Sequence, residues 1–217
     1  MVEPAKIAAR MVKPQTGEPL PHESAKLHVT GEALYTDDIG TPAGALHAYV
    51  GVSQATHARI KNLNLDAVRN APGVVCVLTA SDIPGSSDIG PVYAGDPLIA
   101  SDTVEFRGQI LFAVAAVSNK AARRAARLAE IEYEMLPAVL DSQTGHELGS
   151  YVRPMHCQRR GDAKAAIAEA PMKLEGEFQS GGQEQMYLEG QVSLAIPDED
   201  GKMLVYSSTQ HPSEGQK

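Results

Sequence analysis

Apolar and polar positions divide the chain into short elements whose periods differ. Residues 44–53 alternate as a strand does, with Leu46, Ala48, Val50 and Val52 on one face and His47 and Tyr49 on the other. Residues 60–65 are extended, Asp66 is placed to cap a short helix over 67–70, and Pro72 and Gly73 stop that helix. Residues 74–79 are almost all apolar and read as a buried strand. Residues 80–94, rich in Gly, Pro, Ser and Asp, read as a surface loop. Residues 109–117 form a second apolar run, Ser118 caps a helix over 119–130, and 131–134 return as a strand. This alternation predicts repeated strand–helix–strand units, with the helices packed against a sheet.

The second half is more broken. Residues 141–158, with Gly145, Gly149 and Pro154, read as a loop. Asp162 opens a short helix over 163–170 that Pro171 ends. Residues 172–178 read as a strand. Residues 191–196 and 203–208 read as two strands of a hairpin, joined by a Pro-Asp-Glu-Asp-Gly turn at 197–201. Ser208 and Thr209 are helix-capping types, and Pro212 suits a first helical turn. A helix beginning so near Lys217 leads to the expectation that the chain is the N-terminal part of something longer. Residues 1–22 read as an arm.

Composition narrows the function classes. The chain has 217 residues, 43% of them hydrophobic, which is room for one large or two small globular domains. Nineteen basic against 27 acidic residues give a net charge of −8, and this disfavours nucleic acid. The basic residues at 120, 123, 124 and 127 therefore read as the wet face of a helix rather than a binding patch. No apolar run approaches the roughly 20 residues that cross a bilayer, and no signal peptide is legible, so a cytoplasmic protein without membrane contact is expected. Cys76 and Cys157 lack metal-ligand spacing and read as reduced and structural. Asp37 and Asp38 read as turn formers, and His57 as a structural hydrogen-bonder rather than a ligand or base.

The densest concentration of chemistry is the run Gly181-Gly182-Gln183-Glu184-Gln185-Met186-Tyr187-Leu188-Glu189. Two adjacent glycines let a backbone approach another body closely or turn sharply. Two amides and two carboxylic acids follow within seven residues. On residue types alone, a bulge or turn with solvated side chains explains the run as well.

This run, together with residues 207–214, 24–31 and 35–39, resembles the molybdenum-binding subunit of the xanthine dehydrogenase and aldehyde oxidase family. That family carries Gly-Gly-Gln-Glu-His-Phe-Tyr-Leu-Glu, from which this chain departs at Gln185 and Met186. The resemblance covers roughly residues 20 to 217. It implies an α+β fold: an arm over 1–22, an α/β hammerhead domain over 23–140, a linker over 141–160, and the beginning of the molybdopterin-binding domain over 161–217. It implies hydroxylation of xanthine, hypoxanthine or a related purine with oxygen taken from water, at a molybdenum held by a pterin. It also implies 2Fe-2S clusters and FAD on partner domains or an iron–sulfur and flavin subunit. Gln183 matches the glutamine whose amide hydrogen-bonds the molybdenum oxo group, and Gly182 would allow the close approach, so these two are the cofactor-binding candidates. No catalytic residue and no metal ligand is assigned, because the family's catalytic glutamates lie in motifs absent here; Glu184 and Glu189 are not taken as bases.

The chain by itself is expected to be inactive and to bind neither pterin nor purine, and open strand edges favour self-association into a homo-oligomer. Residues 24–140 are expected to fold alone, with 160–217 less protected. Two other readings remain open: a non-catalytic docking module for a redox or assembly partner, and the same fold in an oxidoreductase acting on an aldehyde or another heterocycle.

Overall fold

The structure is a computed structural model that describes Gly17 and residues 19–216. The described residues fall into two compact units, Thr41–Gln185 and the residues up to Gly40 together with those from Met186 onward.

The larger unit is built around strand β5, Ile110–Ala116, which lies between β1, His47–Val52, and β3, Val74–Leu78, with antiparallel pairing on both sides. A run of Ile, Leu, Phe, Ala and Val suits a central strand: both edges are paired, Leu111, Phe112, Val114 and Ala116 are buried, and Ile110, Ala113 and Ala115 are half-buried. Helix α3, Asn119–Ala126, packs on this sheet. Ser118 Oγ accepts the Ala121 N–H at 3.2 Å, the N-cap the sequence predicts. Ala122 and Ala125 face inward and are fully buried, so the helix axis comes close to the sheet. Short helix α2, Asp66–Arg69, adds Val68, and the core closes around Leu65, Val68, Val104, Leu111, Phe112 and Val114.

A second antiparallel sheet holds β4, Thr103–Val104, β2, Ala58–Asn64, and β6, Glu130–Met135, in that order. The strand–helix–strand units expected from the sequence are thus not parallel crossovers. β2 and β3 flank α2 but belong to different sheets, as do β5 and β6 around α3. The segment 119–130 also does not stay helical to its end, because Glu130 pairs with Asn64 and opens β6.

In β1 Gly51 is buried, as is Ser53 just beyond the strand, while Val50 is 38% exposed; α3 covers the Tyr49 face, and Arg123 lies 5.7 Å over the Tyr49 ring. Two further expectations change. β3 is an edge strand, with Val75 57% exposed, rather than a buried one. Asp66 is the first residue of α2, not its cap, and its N–H donates to Asn64 Oδ1 at 3.1 Å.

Within the presumed loop 141–158 stands a helix, α4, Ser142–Glu147, capped by Asp141 Oδ1 on the Thr144 N–H at 2.8 Å. Gly145 disguises it in the sequence, yet that glycine is buried inside the helix. Helix α5, Ala163–Glu169, is capped by Asp162 as expected. Residues 172–178 form no strand: Leu174 and Phe178 are exposed, and no strand among the described residues pairs with them. Loop 85–98 is organised by Asp88, which accepts the N–H groups of Gly90, Gly95 and Asp96 at 2.9, 2.7 and 3.3 Å.

The smaller unit carries helix α1, Ala25–Thr30, closed by Gly31 at φ 75°, and the antiparallel hairpin of β7, Ser193–Pro197, and β8, Met203–Ser207. The hairpin matches expectation, and Asp200 at φ 59° makes its turn. Helix α6, Pro212–Gly215, begins with Pro212 in its first turn, also as expected. The arm expected over 1–22 lies mostly outside the described residues.

Packing at Gly51 gives one prediction. A Cβ there would lie 2.1 Å from Phe112 Cζ, and Phe112 is 1% exposed with nowhere to move. Gly51→Ala is expected to lower stability by about 1–3 kcal/mol or more. Tyr133 has a buried hydroxyl with no hydrogen-bond partner among the described residues, so Tyr133→Phe is expected to hold or raise the melting temperature. Thermal unfolding of both variants checks the pair.

A second prediction concerns acid. The Gly90 and Gly95 N–H groups hold the Asp88 carboxyl below its usual range. A lowered carboxyl pKa contributes stability above the unfolded value, about 3.9, and loses it as pH falls through the folded value. The amide resonances of Gly90 and Gly95 are therefore expected to keep their shifts down to about pH 4 and to move together below it. In Asp88→Asn that acid step should vanish.

Candidate functional site

The segment 181–189 lies open. Every residue from Gly181 to Leu188 is exposed, and Glu189 is half-buried. Neither Gly181 nor Gly182 has a positive φ, and a Cβ on Gly182 would meet nothing within 4 Å. The glycine pair therefore does not serve a turn or internal packing. It also does not open a strand, since β7 starts only at Ser193. What it leaves is a bare stretch of backbone that a second body can approach.

Gln183 follows directly. Its amide makes no hydrogen bond among the described residues, and an open depression borders Gln183, Glu184 and Gln185. An amide offers two N–H donors and a carbonyl acceptor, so the side chain is free to donate to an oxygen on a bound group. Among the described residues no cluster of three His, Cys, Asp or Glu side chains could hold a metal ion. A side chain such as Gln183 suits a group that is held by hydrogen bonds.

Glu184 is solvated. Glu189 is not: its Oε1 accepts the Thr36 N–H at 2.8 Å. Asp38 makes the turn expected of it, with Oδ2 accepting the Tyr35 N–H at 2.9 Å. This joins two stretches that the sequence singles out separately, and the spacing of 153 residues hides it from any local pattern. Met186 has φ 49°, an uncommon conformation for a residue other than glycine, and Gln191 Nε2 donates to Tyr187 Oη at 2.7 Å.

The other candidates resolve simply. His57 Nδ1 hydrogen-bonds the Pro137 carbonyl, a structural role as expected. Cys76 and Cys157 are unpaired and exposed, so neither packs a core. The Lys61 ammonium, with Arg59, holds the Glu134 carboxyl below its usual range on the solvent side of β2 and β6. No helix among the described residues is long and apolar enough to cross a membrane.

Comparison with known proteins gives these residues a context. Residues 30–137 match the family described as aldehyde oxidase and xanthine dehydrogenase, a/b hammerhead domain, and residues 146–217 match the molybdopterin cofactor-binding domain. The chain is 37% identical over 205 residues to xanthine dehydrogenase of Oryza sativa subsp. japonica, covering 93% of this chain and 15% of that protein. It is 36% identical over 203 residues to xanthine dehydrogenase/oxidase of Gallus gallus, again 93% of this chain and 15% of the relative. Among solved structures, the aldehyde oxidoreductase of Desulfovibrio gigas superposes with a TM-score of 0.71 at 27% identity, over 86% of this chain and 23% of that one. Quinoline 2-oxidoreductase from Pseudomonas putida 86 shares the fold, with a TM-score of 0.71 at 24% identity over 88% of this chain and 26% of that one. This chain therefore spans about 15% of the length of the curated relatives it matches.

Openness around 181–183 makes these residues poor contributors to folding. Gly182→Ala and Gln183→Ala are each expected to shift stability by less than about 0.5 kcal/mol, as exposed substitutions do. Denaturant unfolding checks this; a loss above about 2 kcal/mol would give them a packing role instead.

Proposed function

Because this chain belongs to the xanthine dehydrogenase and aldehyde oxidase family of molybdenum hydroxylases, with its hammerhead domain and the start of its cofactor-binding domain, we propose that it supplies one wall of a molybdenum–pterin site. The observation that carries this reading is the pair at 182 and 183: an unobstructed glycine backbone beside an amide with no partner among the described residues. Gly182 would let the cofactor approach the backbone, and the Gln183 amide N–H would donate to its oxo oxygen and fix its orientation. When bound, the group supplies the two-electron oxidation that lets an oxygen from water enter the substrate. The chain's own contribution is binding and orientation. The amide is neutral and does not move a proton, and Glu184 and Glu189 are not assigned as bases.

The substrate is proposed as xanthine, hypoxanthine or a related purine, on the similarity to xanthine dehydrogenases at 36–37% identity. The likeness to an aldehyde oxidoreductase at 27% identity supports an aldehyde or another heterocycle as the second reading. Activity is proposed for an assembly that also holds what this chain does not span: the rest of the cofactor site, and iron–sulfur and flavin centres to carry electrons away.

The test uses the assembly that a tag on this chain recovers from cells making the cofactor. Gln183→Ala is expected to lower molybdenum content or purine oxidation about 10- to 100-fold, as loss of an orienting partner does. Unchanged molybdenum and unchanged turnover would remove Gln183 from the site.

A further inference from the structure

The stretches 35–38 and 186–191 are held together by one side chain. Glu189 Oε1 takes the Thr36 N–H at 2.8 Å, and Glu189 is half-buried while its neighbours from Gly181 to Leu188 are exposed. The turn that receives it is already shaped. Asp38 Oδ2 accepts the Tyr35 N–H at 2.9 Å, and the Asp38 N–H donates to the Tyr35 carbonyl at 3.0 Å. Thr36 is the first residue of that turn, where a backbone N–H has no partner within the turn itself. A carboxylate is the strongest acceptor such an N–H can find.

The segment shows a matching sign of constraint. Met186 holds φ 49°, and such a conformation persists in a non-glycine residue only where the surroundings over-determine it. Two contacts follow directly along the chain: Gln191 Nε2 on Tyr187 Oη, and Glu189 on Thr36. Upstream, from Gly181 to Gln185, no comparable anchor exists among the described residues.

We propose that Glu189 is a positioning residue: its carboxylate pins the downstream end of the 181–189 segment to the Thr36–Asp38 turn and thereby limits where Gln183 can stand. This rests on the reading of Gln183 as a cofactor partner. It gives a role to a carboxylate in the signature run through the backbone N–H that its Oε1 accepts.

Three variants separate the possibilities. Glu189→Gln keeps a carbonyl oxygen of the same reach. Glu189→Leu removes the acceptor, and Thr36→Pro removes the donor, at a first-turn position preceded by an extended Tyr35 at φ −80° and ψ 163°. In the full chain, Thr36 amide exchange is expected to rise about tenfold in Glu189→Leu and to stay near wild type in Glu189→Gln. In the tagged assembly, molybdenum content is expected to fall about tenfold in Glu189→Leu and in Thr36→Pro, to be rescued in Glu189→Gln, and to fall no further when Glu189→Leu and Thr36→Pro are combined in a double variant.

Unchanged Thr36 exchange in Glu189→Leu would overturn the anchor. Faster exchange with molybdenum retained, while Gln183→Ala loses it, would overturn the positioning role and leave Gln183 in the site. Molybdenum retained in Gln183→Ala as well would overturn both. Additive losses in the double variant would mean that Glu189 acts other than through Thr36.

Discussion

The larger unit depends on one close approach, the Phe112 ring packed against the bare backbone of Gly51. These residues pair across β1 and β5, and the ring occupies the volume that any side chain at 51 would need. That contact seats the central strand, which in turn carries β3 on its other edge and α3 across its face. Alanines at 122 and 125 serve the same end from the helix side, since small residues let the helix lie close over the ring. Stability in the hammerhead domain is thus concentrated in a small apolar centre, and the acidic surface can vary around it.

The candidate cofactor wall is built on the opposite principle. Its residues from 181 to 188 are exposed, no strand runs through it, and its amide has no partner among the described residues. A segment designed to meet a bound group must leave its donors unspent and its backbone uncovered, and both are seen at Gly182 and Gln183. What order the segment has comes from polar contacts at its downstream end, where a strained Met186 is followed by Tyr187 and Glu189, each with a named partner. Order at one end and openness at the other is a physically sensible way to present a single side chain.

Much of this is legible in the amino-acid sequence, and the failures have specific causes. Local signals succeed: Ser118 and Asp162 cap helices, Pro212 starts one, and the 193–207 hairpin turns where its Asp-Gly pair says it should. Non-local arrangement fails. Nothing along residues 58–78 says that two neighbouring strands part into different sheets, and nothing in 44–53 says which face α3 will cover. Apolarity misleads at β3, where an edge strand reads as a buried one, and at 172–178, where alternation finds no neighbour to pair with. Gly145 hides α4 because a buried glycine inside a helix looks like a loop. At the candidate site the residue types and their order were visible; the Glu189–Thr36 hydrogen bond was not, since no pattern spans 153 residues.

The most direct test of the account is elemental analysis, with pterin detection, of the assembly that this chain recovers from cells making the cofactor. The account requires molybdenum and pterin near one per copy of this chain, and their loss when Gln183 is replaced. An assembly that forms fully around the chain yet carries neither would contradict the proposed cofactor wall, and would leave a folded hammerhead domain with a different task.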